Sequence, residues 1–469
     1  MALQDEARDL AKFIENKKHY LSRNAQLFDI FEGNLKPYVD KILKETLSHN
    51  YYSKIKDRIY PINILKRLID KLSRAYSETP MREASSDQEL LELYVAQMRF
   101  NKRMNMADEF SNLFRGYALE PFVYQGKVDL RVLPFDRFLV YSDDLMNPLK
   151  MTHFLKYIGK KVNAKGATID VWFVYTDNEF MAMDQEGHVL TEYMEENEGI
   201  NPFGFIPFFY SARSEHSLMP IQDTDTLELS KLLPVQLTDL AGAIMFQCFS
   251  IVYGVDVDSE NMVMSPNAFW SFKSDLKSDK TPQIGTIKPQ ADIQQVMGFI
   301  KDTFATWLET RGIRVGSLGA TDGASLSSGI SKIIDEMDTF ESVKKSINAF
   351  EYDEYAFWQF MKKTHNKWVE FGELTNVRTL PDNWEVFTEF DDPQPMVNRS
   401  TQIDNIIKQI DNEIISRDTG RKILYPDWSE EDLAKEIELI ENQDDSAPVQ
   451  LFGGVNATTE DQDTDSEEV

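Results

Sequence analysis

The chain holds one cysteine, Cys248, so no disulfide can form within it. Its setting beside Ala243, Ile244, Met245 and Phe246 suits a small buried hydrophobe better than a nucleophile. The six histidines (His19, His49, His153, His188, His216 and His365) show no metal-ligand spacing, and none sits in a local Ser, Cys or carboxylate signature of nucleophilic catalysis. Each is expected to be an ordinary surface or packing residue. No window approaches the roughly 18 uncharged apolar residues of a membrane span, and the first residues, Met1 to Asp5, lack a basic stretch followed by an apolar core. The expectation is a protein with no membrane partner, made and kept in a reducing cytoplasm. Bases are in deficit as well: 50 Lys and Arg against 78 Asp and Glu leave a formal charge of -28. Such a field repels the phosphates of nucleic acid unless bases cluster locally, although acidity equally serves plain solubility.

What the chain does have is apolar material. Its 469 residues are 42% apolar and 12% aromatic, enough for a large core and about two to four structural units. Residues 5 to about 115 read as helical: Ile62, Leu65, Leu68, Ile69 and Leu72 follow Pro61, which suits a first helical turn, and a longer segment from Gln88 ends at Arg115-Gly116. From Tyr117 to about Tyr193 the period shortens to two, with turn signals at Gln125-Gly126, Asp177-Asn178 and Glu186-Gly187. That pattern predicts an antiparallel, meander-like sheet on a helical base, an α+β unit. Residues 195 to 220 read as an acidic, proline-punctuated connector.

Helical spacing resumes at Leu229, Leu232, Leu233, Leu240 and Ile244, with Pro234 as an expected kink, and again from Ile293 to Leu308. Residues 251 to 290, with Pro266, Pro282 and Pro289 and strand-like pieces at Ile251–Val257, Ala268–Phe272 and Ile284–Ile287, form a compact insertion at the tip of this helical hairpin. A Gly/Ser/Ala-rich stretch from Val315 to Gly329 precedes a long helix, Ile330 to about Phe371, and a short strand, Glu385 to Phe390. Two more helices are signalled by Ile403, Ile406, Ile407, Ile410 and Ile414 and by Leu433, Ile437 and Ile440, the latter capped by Ser429 with Asp432. Beyond about Asn442 the chain is polar and acidic and is expected to be disordered.

Chemistry is sparse. The series Gly312, Gly316, Gly319, Gly323 lacks the Gly-Lys-Ser/Thr of a phosphate loop, since no lysine occurs from Gly312 through Gly329; a flexible connecting loop is the better account. Asp335, Glu336, Asp338 and Glu341 could gather Mg²⁺ for phosphodiester cleavage, but helical geometry turns Glu336 about 100° away from its neighbour Asp335, as a solvated acidic face would have it. Trp270, Phe272 and Lys273, with Lys277 and Lys280, could stack single strands; Asp275 and Asp279 and the shortness of the stretch favour an oligomer or protein contact.

The order of elements resembles the portal proteins of long-tailed bacteriophages, and local stretches do too: Asn63–Tyr76, Val132–Asp143, Gly204–Phe208, Ser328–Asp338, and Asp392 through Glu441. The resemblance covers nearly the whole chain. It implies a mainly helical α+β fold with an antiparallel wing (1–222), stem helices (223–250 and 291–312), a small α/β clip (251–290) and a tunnel loop with a long tunnel-lining helix and a return strand (313–397). Crown helices (398–442) and an acidic tail (443–469) complete it. It implies no enzyme activity, cofactor or metal, but a homo-oligomeric ring at one capsid vertex of the virion, assembled in the host cytoplasm. Duplex DNA would pass through without sequence specificity, and the terminase motor, capsid or scaffold proteins and head-tail adaptors would dock on it. Arg314, Ser317, Gly319, Gly323, Ser325 and Ser327 would line the channel as the tunnel loop, and Phe269, Trp270, Phe272 and Lys273 would make clip contacts. Rings of about twelve subunits would carry about 12 × 28, or about 340, negative charges, screened beyond about 10 Å. Adjacent subunits must overcome that repulsion by apolar contacts and specific ion pairs. The competing readings are a Mg²⁺-dependent phosphoesterase using Asp335, Glu336 and Asp338, and a non-viral helical scaffold.

Overall fold

The computed structural model describes residues 2–162, 166–194, 198–248, 251–255, 283–287, 293–313, 329–375 and 377–391, with shorter stretches between 403 and 437. The chain divides into two compact units, Met1–Pro395 and Met396–Val469. It is a mixed α+β protein, and among the described residues every sheet is antiparallel.

The first unit opens on helices α1 (Ala2–Asn16), α2 (Lys18–Phe31), α3 (Lys36–Thr46), α4 (His49–Ile55) and α5 (Ile64–Leu72). Pro61 lies outside the first turn of α5. Asn63 caps that helix instead, its side-chain oxygen accepting from Lys66 N, and its amide reaches Ile30 O at 2.6 Å to tie α5 to α2. The segment from Gln88 is two helices, α6 (Gln88–Gln97) and α7 (Phe100–Phe114), broken at Met98-Arg99, where Arg99 takes a left-handed φ of 49°.

The period-two region folds as two sheets. In the first, β2 (Gly116–Tyr124) pairs with β3 (Lys127–Leu133) and with β8 (Phe209–Ala212). In the second, β4 (Phe138–Tyr141), β5 (His153–Val162), β6 (Thr168–Tyr175) and β7 (Phe180–Asp184) form a four-stranded meander. Gln125-Gly126 makes the two-residue turn of the first hairpin, with left-handed φ at both positions (51° and 72°), the hand that matches strand twist. Strand β8 falls in the stretch read as a connector. A further strand, β1 (Met81–Ala84), pairs with β11 (Val386–Glu389) across some 300 residues.

Arg115 and Gly116 divide the work at the end of α7 differently from the expectation. Arg115 itself takes the left-handed cap, φ 66°. Gly116 is a strand residue whose missing side chain lets β8 and Phe135 close in: a Cβ there would lie 2.7 Å from Ser211 O and 2.9 Å from Phe135 Cζ. Gly116→Ala should therefore lower stability by about 1–3 kcal/mol through overpacking. An unchanged urea midpoint would show that the strand and the Phe135 ring can shift without cost.

One continuous core joins these layers, from Leu27 and Ile30 through Phe100, Phe114, Tyr117, Phe138 and Phe154 to Phe350, Phe357 and Trp358. Helices α8 (Thr224–Cys248) and α9 (Ile293–Glu309) pack as a pair, α8 lying against α3 and α5 with Thr238 accepting from Tyr60 N at 3.2 Å, and in sequence between them β9 (Ile251–Val255) pairs with β10 (Gln283–Ile287). Helix α8 runs from Thr224 to Cys248 with Pro234 inside it. Helix α10 (Gly329–Glu370, 42 residues) returns to the core. In the second unit, α11 (Arg417–Leu424) is capped by Ser416, whose Oγ accepts from Thr419 N, and the bare Cα of Gly420 packs on Ile406 and Ile410. The Ser429 cap, residues 443–469 and the strand-like piece Ala268–Phe272 lie outside the described residues.

Candidate functional site

The α8–α9 hairpin is built on a charged hinge. Asp225 stands in the first turn of α8, where a carboxylate complements the helix dipole. Arg311, just past α9, bonds it at 2.7 Å and lies 3.5 Å from Asp223, while Arg115 approaches Asp223 at 3.9 Å from the end of α7. Arg23 donates to Gln222 O at 2.6 Å and Gln222 to Asn112 O at 2.6 Å, so the chain approaching α8 is fixed to α2 and α7. Gly312 ends α9: its φ is 68°, its N–H bonds Glu309 O, and Ile313 N bonds Leu308 O. This is the Schellman arrangement, with Ile313 buried against Leu68, Trp307 and Leu308. The first glycine of the series is a helix terminator.

Along the hairpin, Leu233, Leu240 and Ile300 are buried between the helices. Leu232, Ile244, Val296 and Phe299 are exposed, Phe299 by 62%. An apolar groove of about 290 Å³ runs between α5, α8 and α9, over Ile62, Leu68, Leu237, Met297 and Phe304. A second, of about 240 Å³, is lined by Asp239, Leu240, Ala243, Val296 and Phe299. Burial pushes the Asp239 carboxyl above its ordinary range.

Helix α10 is pinned by two adjacent acids that the helix turns about 100° apart. Asp353 accepts from Tyr117 Oη at 2.9 Å and Ser211 Oγ at 2.7 Å, on the β2–β8 side. Glu354 faces the β1–β11 ribbon and is fully buried. It holds Arg82 through Nε at 2.7 Å and Nη2 at 2.6 Å, and accepts from Tyr76 Oη at 2.8 Å and Thr388 Oγ1 at 2.9 Å. Arg82 also donates to Asn101 and stacks 4.9 Å over Phe100, so every donor in use has a defined partner. Burial, and then the neighbouring carboxylates, hold the Tyr76 and Tyr117 hydroxyls well above their ordinary values, as permanent donors. Burial likewise raises Asp353. His365, further along α10, accepts from Tyr94 Oη at 2.6 Å through Nδ1 and donates to Arg378 O at 2.9 Å through Nε2, a pairing that suits the neutral ring its burial favours.

The two groups of residues singled out from the sequence cannot be placed against this frame. Arg314, Ser317, Gly319, Gly323, Ser325 and Ser327, and Phe269, Trp270, Phe272 and Lys273, lie outside the described residues. Asp335, Glu336 and Asp338 fall on the first turns of α10, but their side chains are also outside the description. Among the described residues no group of three or more His, Cys, Asp and Glu could hold a metal ion. No described helix is long and apolar enough to cross a membrane.

The functional residues that sequence reasoning passed over are the hinge, Arg311 with Asp223 and Asp225, and the pair Asp353-Glu354. The second had a signal: Asp353 and Glu354 lie at helical spacing from Phe350, Phe357 and Trp358, so the face that buries those rings takes the acids with it. No family model matches the chain, and no curated protein matches it.

Proposed function

We propose that this chain is the subunit of a phage portal: a ring at one capsid vertex through which duplex DNA enters and leaves, and on which the packaging motor and then head-tail adaptors dock. The observation that carries this reading is the α8–α9 hairpin. It packs on α3 and α5, bears a two-stranded pair at β9–β10, and keeps Leu232, Ile244, Val296 and Phe299 exposed. Exposed apolar side chains along one helical hairpin mark a surface that takes a partner, and neighbouring copies of the same hairpin supply one. The hairpin is the stem, the α+β body the wing, residues 251–290 the clip, and α10 the long tunnel-lining helix that follows the tunnel loop. The net charge of -28 supports a conduit, because a wall that repels phosphate does not arrest sliding DNA. The chain itself supplies no catalysis in this role; work on the DNA comes from the docked motor.

Electron microscopy of the purified full chain, with native mass spectrometry across a range of concentration and salt, tests the reading. Closed rings with a central hole wide enough for duplex DNA are expected. A monomer under every condition, or a disc without a hole, would overturn it.

A further inference from the structure

The outer face of the β1–β11 ribbon combines apolar exposure with exposed carboxylates. Period-two alternation sends Arg82 and Thr388 inward to Glu354 and buries Val386, while Met81, Glu83, Phe387 and Glu389 are turned to solvent. Met81 is 66% exposed and Phe387 58%. Helix α10 extends the patch: Tyr352 is 75% exposed, and Tyr355 lies 6.4 Å from Phe387 and donates to Glu385 at 3.1 Å. Glu351 is exposed beside them. Lys362, two turns along α10 from Tyr355, has its ammonium turned to the backbone oxygens of Asp382 and Trp384. This is an apolar surface beside which Glu83, Glu351 and Glu389 are all exposed.

The opposite composition occurs elsewhere in the same unit. Residues 36–74, which span α3 to α5, carry ten Lys and Arg against four Asp and Glu, a local charge of +6 in a chain of -28. Lys36, Lys41, Lys44, Lys56 and Lys66 are exposed, and none of them makes an ion pair among the described residues. Tyr60 and Ile62 are about half exposed in the same segment. Each surface carries the charge the other lacks, and each offers apolar side chains.

We propose that the acidic, aromatic face of the β1–β11 ribbon of one copy docks on the basic α3–α5 segment of the next. The contact deepens the ring reading and rests on it. In a ring, each subunit turns different surfaces to its two neighbours, so two complementary patches on one chain suffice and like patches never meet. The arrangement also answers the repulsion among subunits of -28 each: the contact gathers local opposite charges where the chains approach, within the roughly 10 Å over which salt leaves them effective.

Two measurements on the full chain test this. In the first, Glu83→Lys with Glu389→Lys, and separately Lys56→Glu with Lys66→Glu, should each raise the concentration needed for ring assembly by about tenfold or more, while the four changes together should return it to within about threefold of the parent. In the second, zero-length carbodiimide coupling of the unaltered ring should join Glu83, Glu385 or Glu389 of one copy to lysines between residues 36 and 66 of another. Rings that assemble, that shift by less than about twofold on either reversal and whose crosslinks fall elsewhere would overturn the contact and leave the ring reading standing. A parent chain that stays monomeric would overturn both.

Discussion

Replacing Arg82 with methionine is expected to cost the fold about 3–5 kcal/mol, because it leaves the Glu354 carboxylate buried with its guanidinium partner gone. Glu354 has no exposed surface and Arg82 is 5% exposed. Water cannot reach the orphaned charge without opening the junction of β1, β11 and α10. The two remaining donors, Tyr76 and Thr388, are neutral and cannot replace a bidentate cation. Double replacement, Arg82→Met with Glu354→Met, removes both charges and should cost less than the single change, since the largest penalty of the single change is the uncompensated charge. Urea unfolding of the parent and both variants checks the order. Equal stability of parent and Arg82→Met, or a double variant worse than the single, would show that the pair does not pin the ribbon to the helix. If the proposed ring contact forms, the loss should fall on assembly as well, because the ribbon's outer face is held in place by this inner pair.

Elements with a long, regular apolar period were legible from the sequence. Helix α9 follows Ile293, Met297, Ile300, Phe304 and Leu308, and α10, read as Ile330 to about Phe371, runs from Gly329 to Glu370. Strand β11 was read within one residue at each end, as Glu385 to Phe390 against Val386–Glu389. Its partner β1 was not, and the reason is physical. Met81, Arg82, Glu83 and Ala84 have little intrinsic strand preference; pairing with a strand 300 residues away and a buried ion pair make the strand. Strand β8 was hidden in the same way, since Phe209 to Ala212 sits among turn-forming residues and is recruited by the free edge of β2. Local pattern reports what a segment can do alone, and both strands exist only through distant partners.

The candidate site was legible to a smaller extent. The hairpin and the long returning helix could be drawn from spacing, but the ionic hinge that orients the hairpin joins Arg311 to Asp223 and Asp225 across nearly 90 positions. No local rule pairs them. Gly312 shows the reverse: its left-handed turn is a local event, and it falls at the end of the second stem helix as read from the sequence, 291–312. Asp353 and Glu354 explain how α10 is rooted in the body. One acid is held by the β2–β8 sheet and the other by the ribbon, so tilting the helix in either direction breaks charge-assisted or buried hydrogen bonds.

Asp108, on α7, should make the stability of this body depend on pH through the neutral range. Its carboxyl has no exposed surface. Burial pushes it from an ordinary 3.8 up to about 7, against the opposing effects of the Ala75 N–H, the Arg213 charge and the Asn112 amide. Those bonds, at 3.0 Å each from Ala75 N and Asn112 Nδ2, limit the rise without cancelling it. The unfolded chain releases this proton near 3.8 and the folded chain near 7, so between those values the folded state holds one more proton. Stability therefore falls as pH rises from about 4 to about 7 and is flat in this group beyond either end. A gap of that width corresponds to on the order of 4 kcal/mol at 1.36 kcal/mol for each pH unit. Many other carboxylates titrate in the same range, so the comparison that isolates Asp108 is with Asp108→Asn, which has no proton to lose. The amide sets one donor against Asn112 or Ala75 and lowers the absolute stability, but it leaves the slope of every other group in place. Thermal or urea midpoints of the two proteins between pH 5 and 8 should converge as pH rises, the parent losing its advantage by about pH 7.5. Parallel profiles would mean that the buried carboxyl keeps its ordinary acidity, and that Arg213 with the two amide donors compensates its burial in full.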